Sequence, residues 1–266
     1  MIMIIIIINK EVESKGDCNM KETMRNKLFA GAAVFAAVLA AGPEPAKADP
    51  RSYVWTYEYM TVREGHAELE YYSTTEVADT DAPETSSWKH QVELEYGLTS
   101  KTDIAMYQNF KQSNTPASKT FSYDGMKLRL RHRLAEKGEL PVDTLLYAEY
   151  VRNTDLSAQG ALEAKLVLAK DLGRLNLSYN QVVEFPLEKL SAAEHRFSAG
   201  ASWALSGVFK AGFEATGDYK ADAYYAGPTV HLRARDMKLW ANLGYLAGLN
   251  PDSKDAQTRL IVGVPF

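Results

Sequence analysis

The sequence predicts an all-β protein, a closed antiparallel transmembrane β-barrel of twelve strands that follows a cleaved N-terminal signal peptide. Three observations support this prediction. Apolar and polar residues alternate at a period of 2 in long stretches, most of them about ten residues, the length at which a tilted strand crosses a bilayer. The connections between these stretches are alternately tight and longer along the chain. The last stretch keeps its alternation up to the final residue, Phe266.

The composition excludes several other classes of protein. The chain has 266 residues, of which 46% are hydrophobic, and a net charge of −4, so neither general disorder nor nucleic-acid binding is expected. The only cysteine, Cys18, lies upstream of the predicted fold, which excludes a disulfide framework or a thiolate metal site there. The 5 histidines form no pair at metal-ligand spacing. We therefore predict no metal and no cofactor.

The N-terminal region is typical of export. Arg25 and Lys27 precede an apolar run at 28–42, and Ala46-Lys-Ala48 forms a small-x-small cleavage site. That run is shorter than the roughly 20 residues a membrane-spanning helix needs. We predict that residues 1–23 are an unstructured, over-extended start, 24–48 the signal peptide, 49–65 a periplasmic or luminal segment, and 66–266 a barrel in the outer membrane of a Gram-negative bacterium.

The strands are read from the alternation, which is clearest at 125–134. There Met126, Leu128 and Leu130 share one parity while the basic residues Lys127 and Arg129 share the other. Only a strand separates two such sets onto opposite faces, since a helical period would mix them. The predicted strands are 66–77, 88–98, 103–111, 121–134, 144–153, 160–171, 174–185, 194–206, 208–218, 224–235, 238–248 and 258–266.

The connections predict which strand ends lie on which side of the membrane. Tight links at 99–102, 171–174, 205–208 and 235–238, with 135–143 as a longer exception, are expected on the periplasmic side. Longer polar loops are expected outside, at 78–87, 112–120, 154–159, 186–193, 219–223 and 249–257. A thirteenth strand at 53–62 would break the even count of bacterial barrels. We therefore place this aromatic-rich stretch inside or below the barrel.

The C-terminus carries the most specific signal. Val262, Val264 and Phe266 share one parity, and this pattern resembles the signal by which outer-membrane barrels are recognised for assembly. The expected partners are therefore the barrel assembly machinery and outer-membrane lipid. Aromatic girdles are predicted at the short-turn ends by Tyr96, Trp203, Phe209 and Phe266, and at the long-loop ends by Tyr150 and Tyr245. A soluble sandwich remains the alternative fold if the leucines face a protein core.

The polar parity predicts a charged lumen. The lining and selectivity candidates are Glu68, Glu70, Glu93, Glu95, Lys127, Arg129, Arg131, Arg133, Arg196, Arg233, Arg235 and Arg259, with Glu149, Glu163, Glu214, Lys165, Lys210 and Lys238 also on this parity. Burying so many ions in a dry core would cost several kcal/mol each unless they were paired. Two interpretations stay open: rows of charge that set channel selectivity, or salt-bridge ladders that stiffen the wall and constrict the pore.

Passive diffusion of small polar or charged solutes through this lumen is the leading functional prediction, and no enzyme activity is expected. A structural or partner-binding barrel with a closed lumen is the alternative. Lipid hydrolysis ranks last: Ser113 follows Lys111, where the active-site strand of outer-membrane phospholipase A has a histidine, and lysine is a poor general base near neutral pH. Same-face glutamate pairs in the lumen favour electrostatic lining over catalysis.

A family resemblance points in the same direction. Thr61-Val-Arg-Glu-Gly-His-Ala-Glu-Leu-Glu70 and Glu95-Tyr-Gly-Leu-Thr99 resemble the opening of outer-membrane channel proteins grouped with the meta-pathway of phenol degradation. Members of that family usually have proline where this chain has Val62. The resemblance covers the first two hairpins and the overall architecture. It implies outer-membrane transport, although a phenolic solute fits poorly with so charged a lumen.

Overall fold

The computed structural model describes residues 51–155, 157, 159–234 and 238–266. It confirms an all-β fold of twelve strands: β1 (Ala67–Val77), β2 (Ser86–Thr99), β3 (Thr102–Thr115), β4 (Ser118–Arg133), β5 (Asp143–Arg152), β6 (Ala161–Leu172), β7 (Leu175–Pro186), β8 (Glu194–Ala204), β9 (Phe209–Asp218), β10 (Ala223–Arg233), β11 (Trp240–Gly248) and β12 (Ala256–Pro265). A short 3-10 helix, Leu190–Ala192, lies in the loop after β7. In the described ranges no helix is long and apolar enough to cross a membrane. The predicted signal peptide lies outside the described residues.

The strands form one closed antiparallel barrel in which every strand pairs with its sequence neighbours and β12 pairs with β1. Along this closing seam Glu68 lies opposite Pro265 and Val77 opposite Ala256. Phe266 extends the seam, because its N–H donates to the Ala67 carbonyl and the Ala67 N–H donates to the Phe266 carbonyl, both at 2.9 Å. The seam therefore leaves no strand edge that could pair with another chain.

Large apolar side chains cover the outside of the barrel. Leu94, Leu130, Leu146 and Leu243 are 44–47% exposed, although each neighbours inward-facing residues that are buried. A soluble barrel would bury such a set, whereas hydrocarbon solvates it. The soluble alternative is thus excluded, and the chain is a barrel of the bacterial outer membrane.

The hairpin between β3 and β4 is taller than predicted. Residues 112–120 do not form a loop: β3 runs to Thr115, β4 starts at Ser118, and only Pro116 and Ala117 connect them. The Ser118 N–H donates to Thr115 Oγ1 at 3.0 Å and closes the turn. Polar residues sustain these strands because the hairpin extends past the apolar belt, where both faces meet water and strand pairing needs no core.

A bulge inside this hairpin changes the parity of the outer face. The β3–β4 register shifts between Asn109 and Phe110, next to Gly125, whose φ of +112° is accessible mainly to glycine. Below the bulge the even-numbered Leu128 and Leu130 face lipid. Above it, the odd-numbered Phe121 and Tyr123 do.

Three of the six predicted girdle aromatics are exposed on the outside of the barrel. Tyr96, Trp203 and Tyr245, which the sequence assigns to girdles, are 45%, 49% and 45% exposed. A second group at the outer ends of β1 to β4 was not predicted, because the bulge hides its parity. Its ring centroids are 5.6 Å apart for Phe110 and Phe121, 6.0 Å for Trp88 and His90, and 6.1 Å for Tyr71 and His90. Such a cluster fits the amphipathic environment of the membrane interface.

Candidate functional site

Residues 51–62, which we call the plug, lie inside the barrel. They make hydrogen bonds with Tyr72 on β1, Asn180 on β7, Glu214 on β9, Asn242 on β11 and Arg259 on β12. A segment can reach strands all around the ring only from within the lumen. The plug is joined to the short-turn end of β1 by residues 63–66, so it is attached to the barrel at that end.

Glu214 is the central anchor of the plug. Its carboxylate accepts hydrogen bonds from three successive backbone N–H groups, those of Val54 at 2.6 Å, Trp55 at 2.8 Å and Thr56 at 2.7 Å. The side chain is fully buried. Charge-assisted bonds of this kind are stronger than neutral ones and compensate for the buried charge. The alternation places Glu214 in the lumen, but the sequence gives no sign of this partner.

Two asparagines bind the plug backbone from the barrel wall. Asn180 accepts from the Tyr57 N–H at 2.6 Å and donates to the Tyr57 carbonyl at 3.0 Å. Asn242 donates to the carbonyls of Arg51 at 3.0 Å and Tyr53 at 2.9 Å. A buried backbone needs such partners when no helix or sheet supplies them. Side chains of the wall therefore take the place of a strand ladder for the plug.

Glycines in the wall make room for the plug's aromatic rings. A Cβ placed on Gly200 would lie 2.5 Å from the Tyr53 ring, and one on Gly244 would lie 2.3 Å from the Trp55 ring. Both glycines stand on the inward parity of their strands. The rings therefore fill space that the wall leaves open at these positions.

We predict that Gly244→Ala displaces Trp55 and destabilises the plugged barrel by about 1–3 kcal/mol, the usual cost of overpacking. Tryptophan fluorescence and urea unfolding of the folded protein measure the two effects. Gly207→Ala is the matched control, because a Cβ at Gly207 meets nothing within 4 Å. Equal stability and identical emission spectra for the two variants would contradict the packing of Trp55 against this wall.

The acidic residues of β2 and β3 pair with the arginines of β4 in one buried cluster. Arg129 contacts Glu93 at 2.5 Å and Glu95 at 2.9 Å, and Arg131 contacts Glu95 at 2.9 Å and Asp103 at 2.6 Å. All five side chains are at most 3% exposed.

The strand register explains how this cluster forms. Ala105 of β3 pairs with Glu95 on one side and with Arg129 on the other. Its small side chain lets the carboxylate and the guanidinium meet across the strand between them. In the described part of the lumen, the carboxylates of β2 and β3 and the arginines of β4 thus form a salt-bridge ladder. This arrangement matches the second interpretation of the charged rows, in which paired charges stiffen the wall.

The remaining acidic candidates also have partners. Glu68 accepts from the Trp240 indole N–H. Glu70 lies 3.5 Å from Arg51 of the plug and accepts from Tyr72.

The basic candidates occupy three different levels of the barrel. Lys127 pairs with Glu149 at 2.9 Å in the wall. Arg133 and Arg233 lie at the short-turn rim, where they donate to the carbonyls of Ser100 and Gly207, and not in a constriction. Arg196 and Arg259 line the outer half of the lumen, and Arg235 lies outside the described residues.

Three carboxylates come closer together than the sequence suggested. Ligand oxygens of Glu68, Glu70 and Glu95 all lie within 4.8 Å of one another, a spacing that suits a cation. The prediction of no metal considered histidine spacing and missed this acidic group. Arg51, Arg129 and Arg131 already contact Glu70 and Glu95, so much of its charge is compensated by the protein itself.

Two cavities flank the plug. The outer cavity, about 560 Å³, is lined near the long loops by Glu76, Asp218 and Lys254 and at its floor by Trp55 and Arg259. The inner cavity, about 190 Å³, opens near the short turns and is lined by Ser52, Asn176, Ser202 and Lys210 among others. The plug fills the lumen between them.

The hydrolase candidate, Ser113, lies away from the lumen cluster. It stands exposed on the tall hairpin, where its register partners are Ser87 and Thr120. Lys111, two residues before it, contacts Asp124 at 2.8 Å. Neither register partner is a base that could activate the hydroxyl.

Comparison with solved structures supports the barrel fold. No family model matches the chain, and no curated protein matches it. Among solved structures, the COG4313 outer membrane channel from Pseudomonas putida F1 matches 83% of this chain and 100% of its own length, with a TM-score of 0.58 at 9% identity. The NanC porin matches 74% of this chain and 98% of its own, with a TM-score of 0.49 at 12% identity. The outer membrane phospholipase A from Escherichia coli scores lower, with a TM-score of 0.43 at 12% identity, over 80% of this chain and 94% of its own.

Proposed function

We propose that this chain is an outer-membrane channel for small polar or charged solutes, closed by the plug and opened when the plug leaves the lumen. One observation carries the proposal: the plug separates two cavities, each with charged side chains in its lining, that follow the same side of the barrel. Asn180 of β7 lines the outer cavity and Asn176 of the same strand lines the inner one. Four residues of strand span only about 13 Å.

The wall between the cavities suits a conduit. Its inward side chains on β7, β8 and β9 are small or polar, namely Ser178, Asn180, Ser198, Gly200, Ser202 and Gly212. Tyr53 and Tyr57 of the plug supply the bulk at this level. Without the plug, the two cavities would join along a hydrophilic wall that solvates passing solutes.

The plug is held in a way that permits release. Its backbone is bound to side chains of the wall, and each such hydrogen bond contributes about 0.5–1.5 kcal/mol, or about 1.5–3 when a charged group takes part. Water can replace these partners once the lumen fills. The strand ladders of the barrel do not depend on the plug, so the plug can move while the barrel stays closed on itself.

The comparisons and the sequence support transport as the function. The barrel fold is one that an outer-membrane channel uses. The resemblance of 61–70 and 95–99 to the channels grouped with the meta-pathway of phenol degradation favours the same role. We keep phenolic compounds out of the proposal because the described lumen is lined by ions and amides.

A closed scaffold is the second candidate. The buried ladder of Arg129 and Arg131, together with the plug, fills much of the lumen. A barrel whose lumen never opens would present its loops and its tall β3–β4 hairpin to a partner. Conductance measurements distinguish the two functions, because a channel conducts when the plug leaves and a closed scaffold does not.

We also propose that Val262, Val264 and Phe266 form the signal recognised by the barrel assembly machinery. Phe266 supplies the last backbone pair of the closing seam, so the residue proposed to be recognised is also the residue that completes the ring. Outer-membrane lipid is the other proposed partner, through the apolar belt.

The Glu214→Gln variant tests the channel proposal. The amide keeps the shape of the carboxylate but has one acceptor oxygen, and its NH₂ group faces the N–H donors of the plug. We expect weaker retention of the plug and a clear rise in open probability in planar bilayers, whereas the unmodified protein should open rarely.

Glu194→Gln is the matched control, because Glu194 contacts Lys220 at 2.6 Å at the outer end of β8, away from the plug. It should conduct like the unmodified protein. A Glu214→Gln barrel that folds but stays silent would favour the closed scaffold.

A further inference from the structure

The floor of the outer cavity contains a cation, Arg259, that has no anionic partner in the described part of the chain. Arg259 donates from Nε to Thr74 Oγ1 at 2.8 Å and from Nη1 to the Val54 carbonyl at 3.2 Å. Within the described residues, no carboxylate lies at ion-pairing distance from it. Its Nη2 group makes no hydrogen bond to this part of the chain, so two N–H donors remain available beside the cavity.

The other cations of the cavity are compensated. Lys165 pairs with Glu163 at 2.8 Å, and Arg196 pairs with Glu163 at 2.7 Å and with Glu184 at 2.6 Å. Lys254 pairs with Glu76.

Two further carboxylates near the cavity are also engaged. Asp218 accepts from backbone N–H groups of its own loop. Glu214 binds the N–H side of the plug backbone, whereas Arg259 binds the Val54 carbonyl. Among the cations of the cavity, Arg259 therefore offers an added anion the most favourable electrostatic interaction.

An aromatic surface lies next to this cation. The guanidinium carbon of Arg259 is 5.2 Å from the centre of the Trp55 ring, and both residues line the cavity. An indole face packs well against the carbon skeleton of a ring-shaped solute. Gln257 and Ser198 add polar groups to the same lining. The volume of about 560 Å³ lies within the range of about 300–1,000 Å³ that is usual for small-molecule sites.

We propose that the outer cavity binds a small organic acid, with the carboxylate on Arg259 and the carbon skeleton against Trp55. This inference rests on the proposed function, since it names the class of solute that the channel takes up. A guanidinium suits a carboxylate because its planar N–H groups match the two oxygens. The indole and the volume of the cavity favour an organic acid over a bare inorganic anion.

The ligand can also reach the plug through this site. Arg259 and Trp55 connect the floor of the cavity directly to the plug backbone at Val54 and Trp55. An acid that binds Nη2 and draws the guanidinium toward itself weakens the hydrogen bond from Nη1 to the Val54 carbonyl. Binding at the outer face is thereby coupled to the segment that closes the lumen.

Calorimetric titration of the purified full-length barrel in detergent micelles tests the inference. D-glucuronate and D-glucose are the probes, because they share a ring and differ in carboxylate against hydroxymethyl. We expect saturable binding of glucuronate and none of glucose. Arg259→Gln should weaken glucuronate binding at least about tenfold, since it removes a hydrogen-bonded charge. Arg259→Lys should be intermediate.

Controls locate the site and separate the proposals. Arg63→Gln changes an exposed arginine near the short-turn end of β1. This variant should bind glucuronate like the unmodified protein. Trp55→Phe should remove the part of the fluorescence response that glucuronate causes. Heat-dependent mobility in gels verifies that each variant is folded.

Three results would overturn the inference: equal binding of glucose and glucuronate, unchanged binding in a folded Arg259→Gln variant, or binding of inorganic phosphate as tight as that of glucuronate. Because the titration does not use conductance, binding to a silent barrel would count against the channel alone. Conductance without glucuronate binding would count against the organic-acid site alone.

Discussion

Deletion of residues 51–62 is expected to convert the barrel into a steadily conducting pore. The deletion removes Tyr53, Trp55 and Tyr57 from the space between the two cavities. Water then fills this part of the lumen, which Asn180 and Glu214 line. Hydration of Glu214 replaces the three backbone donors that it loses, so the empty lumen carries no dry, unpaired charge. Single-channel recording in planar bilayers should show continuous ohmic steps, against rare openings in the complete protein.

A peptide with the sequence of residues 51–62 provides the control for this deletion. Added to the side of the short turns, it should restore closure, because the anchors at Glu214, Asn180 and Asn242 remain in the wall. A peptide of the same composition in scrambled order should have no effect. A folded deletion variant that does not conduct would show that the barrel is closed without the plug and would favour the scaffold function.

Arg129→Met is expected to destabilise the folded barrel by about 3–5 kcal/mol. Arg129 is fully buried and contacts Glu93 at 2.5 Å and Glu95 at 2.9 Å, with Asp103 at 3.5 Å. Methionine occupies a similar volume but leaves these carboxylates without one of their guanidinium partners in a dry part of the lumen. Equilibrium unfolding by urea, measured in lipid vesicles, gives the free energy of unfolding of both proteins.

Lys111→Met is the matched control for the same substitution type. Lys111 pairs with Asp124 at 2.8 Å, but its side chain is 60% exposed on the tall hairpin. Exposed pairs contribute about 0–1 kcal/mol, so the control should differ little from the unmodified protein. Similar losses in the two variants would mean that the Arg129 cluster is hydrated, in which case a role of these arginines in selectivity becomes the better interpretation.

The sequence by itself determined the barrel. In a bilayer every backbone group needs a partner within the protein, so long strands of alternating polarity have to close into a ring. The parity of Leu128 and Leu130 against Arg129 and Arg131 then decides which face meets lipid. The strand order follows from the same rule, because neighbours along the chain are joined by hairpins. The bulge at Gly125 and the tall hairpin were not predicted from the sequence, because strands that pair beyond the membrane do not need an apolar face.

Only the tertiary structure decided what the lumen contains. The plug carries aromatic residues at every second position, as a strand would, and nothing local names its partners Glu214 and Asn242, which lie far from it along the chain. Whether Glu95 meets Arg129 depends on the register of both strands with β3 and on the small Ala105 between them. Alternation fixes the side of the wall on which a charge lies, because it is a local property of one strand. The height of that charge and its partner across the ring depend on how the strands are staggered when the barrel closes, and no single strand encodes that stagger.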